Sequence, residues 1–390
     1  MAKILIIGGG PAGLMVATQL LDLNAEITII DHKPAVGRKF LVAGEGGFNL
    51  THSEPLERFI QKYDSEVVKE WVTQFTPTDF RSWLTSIGIE TYIGSSGKVF
   101  PIEGTKPIQV LNAWLKHLKK TPINWQLKSE LIDFDEKFVR IKSKNDVQEL
   151  PYDFLVFALG GASWKKTGSD GAWFDLFAEK KIPMVPFQSG NTGLELNESI
   201  WRKEFEGQFI KNCRLQINDI TIAGDLVITN YGIEGKPAYA VNRPLRSNGF
   251  KGLTIDFKPQ LTLDKIESAL RNANNVRKAF KQLKLSDAIY NWLKEELPKE
   301  QFIDPALLAK HLKTFGVEVI GLRPLDEAIS TVGGVSIDAI NSSGELKQHE
   351  NVFCCGEMLD WDAPTGGYLL QACVSSGYVV GQKISRKIKN

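Results

Sequence analysis

Cysteine is scarce in this 390-residue chain, which carries four: Cys213, Cys354, Cys355 and Cys373. With no CxxC spacing and no histidine at a zinc-ligand interval, they outline neither a disulfide framework nor a structural metal site. Cys354 and Cys355 adjoin inside the apolar run "NVFCCGE" and read as small buried strand residues; a strained redox disulfide is the alternative. A dominant charge is missing too. The 47 basic and 46 acidic residues leave a formal charge of +1, which excludes a global pull toward nucleic acid or an anionic membrane, so partners must be argued locally. No apolar run approaches the roughly 20 residues of a membrane-spanning helix. The opening "MAKILIIGGGPAGL" imitates a signal peptide, but glycines interrupt it and no small-residue cleavage site follows. The chain therefore reads as cytoplasmic, with no membrane partner and no metal.

What is present begins at once. An apolar run from Ile4 to Ile7 leads into Gly8-x-Gly10-x-x-Gly13, a helix from Pro11 to Leu23, and a second strand, Glu26 to Ile30, ending in Asp31. That is a βαβ unit in which Gly8 permits the tight turn, Gly10 lets a phosphate approach, and Gly13 lets helix pack on strand. Asp31 stands where a carboxylate accepts hydrogen bonds from an adenosine ribose. The fingerprint binds the ADP half that NAD and FAD share, so it does not separate them.

The next stretch, "GRKFLVAGEGGFNLTH", has neither helical nor strand periodicity and reads as a glycine-rich loop wrapped on a long ligand. Amides of Gly44, Gly46 and Gly47 make an anion nest there, and Arg38 or Lys39 neutralises a phosphate oxygen. Residues 53–150 read as amphipathic helices and short polar strands with an architectural role. "YDFLVFALGGAS" is an apolar strand ending at Gly160 and Gly161, a second close backbone approach. From 189 to 260 the chain reads as a β-rich insert, and from 261 to 324 as a helical one. The helical part carries Arg271, Arg277, Lys278, Lys281 and Lys284 with no acid between them. These cations read as a solvated face or as a contact for RNA.

The tail returns to the style of the head. "NVFCCGEMLDWDAPTGGYLLQACVSSGYVVGQKI" is a strand, Gly356-Glu357, a turn with Gly366 and Gly367, and a long helix from Tyr368. Such a turn supplies a carboxylate for ribityl hydroxyls and a helix N-terminus for a ring oxygen. A site assembled from both chain ends suits FAD better than NAD.

Together "GGGPAGL", "GRKFLVAGEGGFNLTH", "ITNYGIEG", "TVGGVSI" and "GEMLDWDAPTGGYLLQACVSSG" resemble the HI0933-like bacterial flavoproteins, also described as BaiN/RdsA-type NAD(P)/FAD-dependent oxidoreductases. The resemblance spans nearly the whole chain. It implies an α/β fold, with an FAD-binding Rossmann-like domain of two-dinucleotide-binding type at 1–188 and 325–390, interrupted by a β-barrel-like and helical insert. It puts FAD against Gly8, Gly10, Pro11, Ala12, Gly13, Asp31, His32, Lys33, Arg38, Lys39, Gly44, Asn49, Gly160, Gly161, Gly356, Glu357, Gly366, Gly367 and Tyr368. Activities in the group range over carbon-carbon double-bond reduction in steroid-like substrates, uridine reduction in ribosomal RNA, and oxidation of a small amino ketone. The cofactor is thus better fixed than the substrate. Many relatives read Gly-Gly-Arg-Cys-Asn where this chain has Glu45-Gly46-Gly47-Phe48-Asn49. Chemistry that uses that cysteine as a proton donor is closed to this chain.

The activity expected is an FAD-dependent reductase that takes hydride from NAD(P)H, bound transiently, and passes it to an unsaturated small molecule or nucleobase. Candidate acids are His52 and Tyr231, with Trp164 as a stacking wall. A flavin-bound RNA-associated protein and a small-amine flavin oxidase are the alternatives.

Overall fold

The computed structural model describes residues 1–42, 48–144, 146–197 and 200–390. The chain divides into two compact units, Met1–Gln188 with Ile329–Asn390, and Ser189–Ala328.

The first unit is organised by an all-parallel five-stranded sheet, in the order Val352–Cys354, Phe154–Phe157, β1 (Ala2–Ile7), β2 (Ala25–Asp31), Ile123–Leu127. Its central strands are near-continuous Ile, Leu, Val and Phe because both faces are covered. Helix α1 (Pro11–Gln19) starts with proline at its first position, where a missing N–H is harmless. It packs along the 22-residue C-terminal helix Tyr368–Lys389. Glycine makes that approach possible: a Cβ on Gly377 would lie 2.3 Å from the Ala12 carbonyl oxygen, and one on Gly381 2.6 Å from Gln19 Cβ.

One expectation changes here. The stretch expected as a loop opens with a short helix, α2 (Arg38–Val42), because Phe40 buries against the core beneath it. The first of the polar strands after residue 122 has a defined architectural place: Ile123–Leu127 completes the parallel sheet, pairing with β2 from Ile27↔Ile123 to Asp31↔Leu127.

The second unit is a seven-stranded antiparallel sheet with helices, and it holds one core. Strand Phe209–Ile217 alternates, burying Ile210, Cys213, Leu215 and Ile217. Its amphipathic helices start on side-chain caps, with Thr262, Asn275, Ser286 and Asp304 accepting from backbone amides of the first turn. The stretch read as helical also contributes strands Phe315–Gly316 and Val319–Leu322 to the same sheet. The β-rich and helical pieces are therefore one body. The basic run is likewise not a single helix: it spans Leu263–Asn272 and Val276–Gln282, broken where Asn275 caps the second.

Candidate functional site

In the first unit, the C-terminal ends of the parallel strands open onto a cavity of about 320 Å³, where doubly wound sheets place ligands. Its floor is the Gly8–Gly13 turn. Gly8 has φ +109°, its amide donates to Ile30 O at 2.8 Å, and a Cβ there would meet Ala158 O at 2.2 Å. A Cβ on Gly13 would meet Gly8 O at 2.1 Å, whereas one on Gly10 would meet nothing within 4 Å. Gly8 and Gly13 are thus glycine for the fold, and Gly10 for the open space above it. Pro11 and Ala12 line the same wall.

At the end of β2, Asp31 accepts from Gly9 N at 2.9 Å and Lys33 N at 2.8 Å. A carboxylate has about four lone-pair positions, so it retains capacity for a ligand hydroxyl. His32 lines the cavity beside Asp170, 3.7 Å away, while Lys33 packs beneath Gly168 and is not part of the lining.

The adjacent cations Arg38 and Lys39 both line the cavity and differ in what they hold. Lys39 Nζ donates to both Glu357 oxygens, at 2.6 and 2.9 Å, and to Ser163 Oγ at 2.7 Å, which uses its three protons. Glu357 also accepts from Thr331 N at 3.2 Å, and Thr331 Oγ1 accepts from the amides of Ala162 and Ser163. Gly161 is small to admit that threonine: a Cβ would come within 2.4 Å of Thr331 Oγ1. Lys39, Ser163, Thr331 and Glu357 thereby close a polar circuit joining head, middle and tail of the chain. Arg38 Nε, by contrast, is buried without a partner, as is Ser169 Oγ of another lining residue. Buried donors without partners are rare in native proteins; of the four such groups among the described residues, these two belong to residues of the lining, while Trp83 Nε1 and Thr192 Oγ1 lie elsewhere.

Gly160 and Gly356, with φ +72° and +81°, line the cavity at two strand ends. Cys355 and Cys373 complete the wall. Burial first, then the Glu357 carboxylate, push the Cys373 thiol up to about 12, so it stays protonated.

The remaining expected residues lie outside this lining. Gly44 falls outside the described residues, as do Gly46 and Gly47 of the expected nest, and Asn49 follows them between buried Phe48 and Leu50. Gly367, with φ +100°, is pressed on the Thr51 backbone, where a Cβ would come within 2.5 Å of Thr51 Cα; Gly366 precedes it with φ +118°. Tyr368 donates its phenol proton to Glu54, and its carbonyl accepts from Tyr63 Oη at 2.8 Å. His52 stacks on the Tyr368 ring, with centroids 5.5 Å apart. Its Nδ1 accepts from Glu54 N at 3.1 Å and its Nε2 lies 3.1 Å from Ser96 O, so both nitrogens are committed to the backbone. In the second unit, Tyr231 donates to Glu234, and the Arg323 guanidinium lies 4.2 Å from its ring centroid. Burial first, then Glu234, hold the Tyr231 phenol well above its usual range.

Sequence reasoning missed two parts of the wall and two residues that support it. Ser129–Ile132 line it because the β2 register brings the following strand alongside, which no local pattern announces. Thr167–Asp170 and Trp173 line it through the turn "TGSDGAW", whose glycines after a strand end were a usable signal. Ser163 and Thr331 act through Lys39 and Glu357. Among the described residues, no group of three or more His, Cys, Asp or Glu is placed to hold a metal. What the cavity offers is glycine backbone, a strand-end carboxylate, an unpaired guanidinium and an unpaired hydroxyl, a donor set that fits an extended ligand bearing phosphates and hydroxyls.

Comparison with known proteins agrees with this geometry. A 3-dehydro-bile acid delta(4,6)-reductase from Clostridium scindens is 24% identical over 99% of this chain and 100% of its own length. A ribosomal RNA dihydrouridine synthase from Haemophilus influenzae is 24% identical over 98% of each chain. Among solved structures, a flavocytochrome c3 fumarate reductase shares the fold at a TM-score of 0.53 and 15% identity, over 100% of this chain and 79% of that one. The profile of the HI0933-like protein Rossmann domain matches residues 2–383; this chain belongs to the HI0933-like family.

Proposed function

We propose that the chain is an FAD-dependent oxidoreductase that draws hydride from NAD(P)H and reduces a carbon-carbon double bond in an unsaturated ring substrate. The observation that carries the reading is the cavity itself: glycine floor, Asp31 at one end, the Lys39–Glu357 circuit at the other, and two buried donors, Arg38 Nε and Ser169 Oγ, with no acceptor. When bound, FAD supplies hydride exchange between a nicotinamide donor and a conjugated acceptor. The protein's own residues hold and orient. Gly10 leaves room for the pyrophosphate and Arg38 neutralises it; Asp31 accepts from the adenosine ribose; the Lys39–Glu357 pair fixes the segments that meet the ribityl chain. Gly366, Gly367 and the start of the C-terminal helix direct amides at the ring end. Asn49, Gly44 and His32 belong to the same assignment.

For the proton that accompanies hydride transfer we nominate Tyr231 and His52. The raised Tyr231 phenol keeps its proton across neutral pH, as a donor must. His52 is the weaker nominee, because donation breaks its contact with Ser96 O. The substrate class follows the bile-acid reductase and dihydrouridine synthase names of the relatives, both reactions at a ring double bond. We place the protein in the cytoplasm; among the described residues no helix is long and apolar enough to cross a membrane.

A second reading, contact with RNA, is favoured by one feature of the second unit. Arg271 pairs with Glu267 and Arg277 approaches Asp287, but Lys278, Lys281 and Lys284 make no ion pair among the described residues. Lys278 and Lys281 line a groove with Tyr290 and Phe302, the pairing of cations with rings that single strands use.

The test is direct. Purified protein is yellow, releases FAD on denaturation, and bleaches when NADPH or NADH is added without oxygen. Colourless folded protein that refuses FAD ends the proposal; bleaching only by a small amine makes it an oxidase instead.

A further inference from the structure

Affinity for a ligand comes from groups that gain partners when it binds, and the cavity wall is unevenly supplied with them. Where the polar circuit closes, Lys39 has all three protons committed, and Glu357 accepts from Lys39 twice and from Thr331 N. Two residues expected at a ring end lie outside the lining, Gly367 pressed on the Thr51 backbone and Tyr368 bonded to Glu54. The rest of the polar wall is less committed. Asp31 keeps acceptor capacity after its two amide bonds, a Cβ on Gly10 would meet nothing within 4 Å, and Arg38 Nε is buried without a partner.

The Asp31 end also carries apolar surface. Leu127 pairs with Asp31, so the chain that follows brings Leu131 and Ile132 to the lining, where Ile132 is 38% exposed. Trp173 and Leu176 join them there. These side chains are braced by the fold: Trp173 Nε1 donates to Gly160 O at 3.1 Å, and Asp133, next to Ile132, pairs at 2.7 Å with Lys180, which ends the helix Phe174–Glu179 that bears Leu176. Surface held in place beforehand lowers the ordering cost of binding. An apolar group beside a strand-end carboxylate, a glycine turn and a guanidinium is complementary to a base, a ribose and a pyrophosphate.

We propose that the cavity is a site for adenosine diphosphate in its own right, and that free ADP competes with FAD for it, so that the flavin content of the protein follows the ratio of the two. The competition rests on the flavin reading of the cavity; binding of the nucleotide needs only the lining. A ligand that has the flavin ring and lacks the adenosine half, such as FMN, forfeits the contacts that gain most.

The experiment uses the yellow holoprotein as purified, dialysed in parallel against buffer, ADP or FMN at equal concentration, with released FAD measured. ADP releases FAD in proportion to its concentration, and FMN releases no more than buffer. In flavin-free protein from the same batch, saturating ADP raises the melting temperature by about 4 °C and FMN leaves it unchanged. Ile132→Asp, at a partly exposed position that the fold tolerates, weakens ADP and FAD by the same factor, roughly tenfold. ADP that neither releases FAD nor raises the melting temperature, FMN that matches it, or an Ile132→Asp variant that weakens FAD alone overturns the proposal. Colourless protein that refuses FAD yet melts higher with ADP ends the flavin reading and keeps the nucleotide site, whereas yellow protein indifferent to ADP keeps the flavin reading and ends this one.

Discussion

The cavity of the first unit and the Tyr231 cluster of the second are both rich in polar groups, and they differ in how far they satisfy them. Around Tyr231 each group named has a partner within the unit: Glu234 accepts from Tyr231, and Arg323 bonds Glu195 at 2.7 Å and Glu327 at 2.6 Å. Nearby, Asn242 exchanges bonds with the Thr192 backbone at 2.8 and 3.1 Å. Among the cavity residues, Lys39 is saturated, but Arg38 Nε and Ser169 Oγ are buried without a partner. Buried polarity that is satisfied rigidifies a fold; the contrast is one of degree, since Thr192 Oγ1 beside Asn242 is also buried without a partner.

The sharpest way to break that comparison is at the glycines. Gly13→Ala forces a methyl to 2.1 Å from Gly8 O and should destabilise the first unit by about 3 kcal/mol with loss of flavin. Gly10→Ala, whose methyl meets no atom within 4 Å, should leave the stability of flavin-free protein within about 0.5 kcal/mol of the parent while weakening FAD binding at least tenfold. Equal unfolding in both variants would refute the distinction.

Arginine offers the next contrast. Arg38→Met removes a donor that lacks a partner, so flavin-free protein should lose nothing and FAD affinity should fall by about 2 kcal/mol, read by flavin release. Arg323→Met strands Glu195 and Glu327, and should destabilise the second unit by about 1 kcal/mol, discounted for their partial exposure, with FAD content intact. Reversed effects would make Arg38 the structural residue.

Acid titration distinguishes the units by smaller amounts. Burial, then Lys180, lowers His349 in the first unit below 6.5, and burial lowers His311 in the second. Burial raises Glu345, but bonds from Lys387 and Asn351 N outweigh it and hold the carboxyl below 4.5. A depressed folded value means the unfolded chain binds the proton first, so each contribution is complete above the ordinary value and is lost as pH falls through the folded one. Melting temperatures should therefore decline below pH 6.5 and again below 4.5. His349→Gln should reduce the first decline for the first unit, where His117 is also lowered by burial, and His311→Gln should flatten it for the second.

Tyr231→Phe should cost no more than about 1 kcal/mol of stability, because one hydrogen bond is lost. As a proton donor its loss should slow reoxidation of reduced flavin by substrate about 100-fold, with FAD content unchanged. An unaltered rate would leave the Tyr231 cluster purely architectural and complete the contrast with the cavity.

Much of the site could be read from local pattern. Gly8, Gly10, Pro11, Ala12, Asp31, Arg38, Lys39, Gly160, Gly356 and Glu357 all lie on the cavity wall, because each is set by a strand end or a glycine turn within a few residues of itself. Ser163 and Thr331 were invisible for the opposite reason: they meet Lys39 and Glu357 across separations that no spacing rule covers. The single core of the second unit was hidden likewise, since residues 315–322 had to leave a helical stretch to join strands more than fifty residues upstream.

What the sequence determined alone was the local chemistry: which strands are buried on both faces, where backbone must pass without a Cβ, and that head and tail carry matching glycine turns. Only the tertiary structure decided which of two neighbouring cations is spent on the fold and which is kept for a ligand. The choice depends on where a distant carboxylate and hydroxyl come to rest, and hydrogen-bond geometry, unlike glycine's freedom, is a property of the assembled chain.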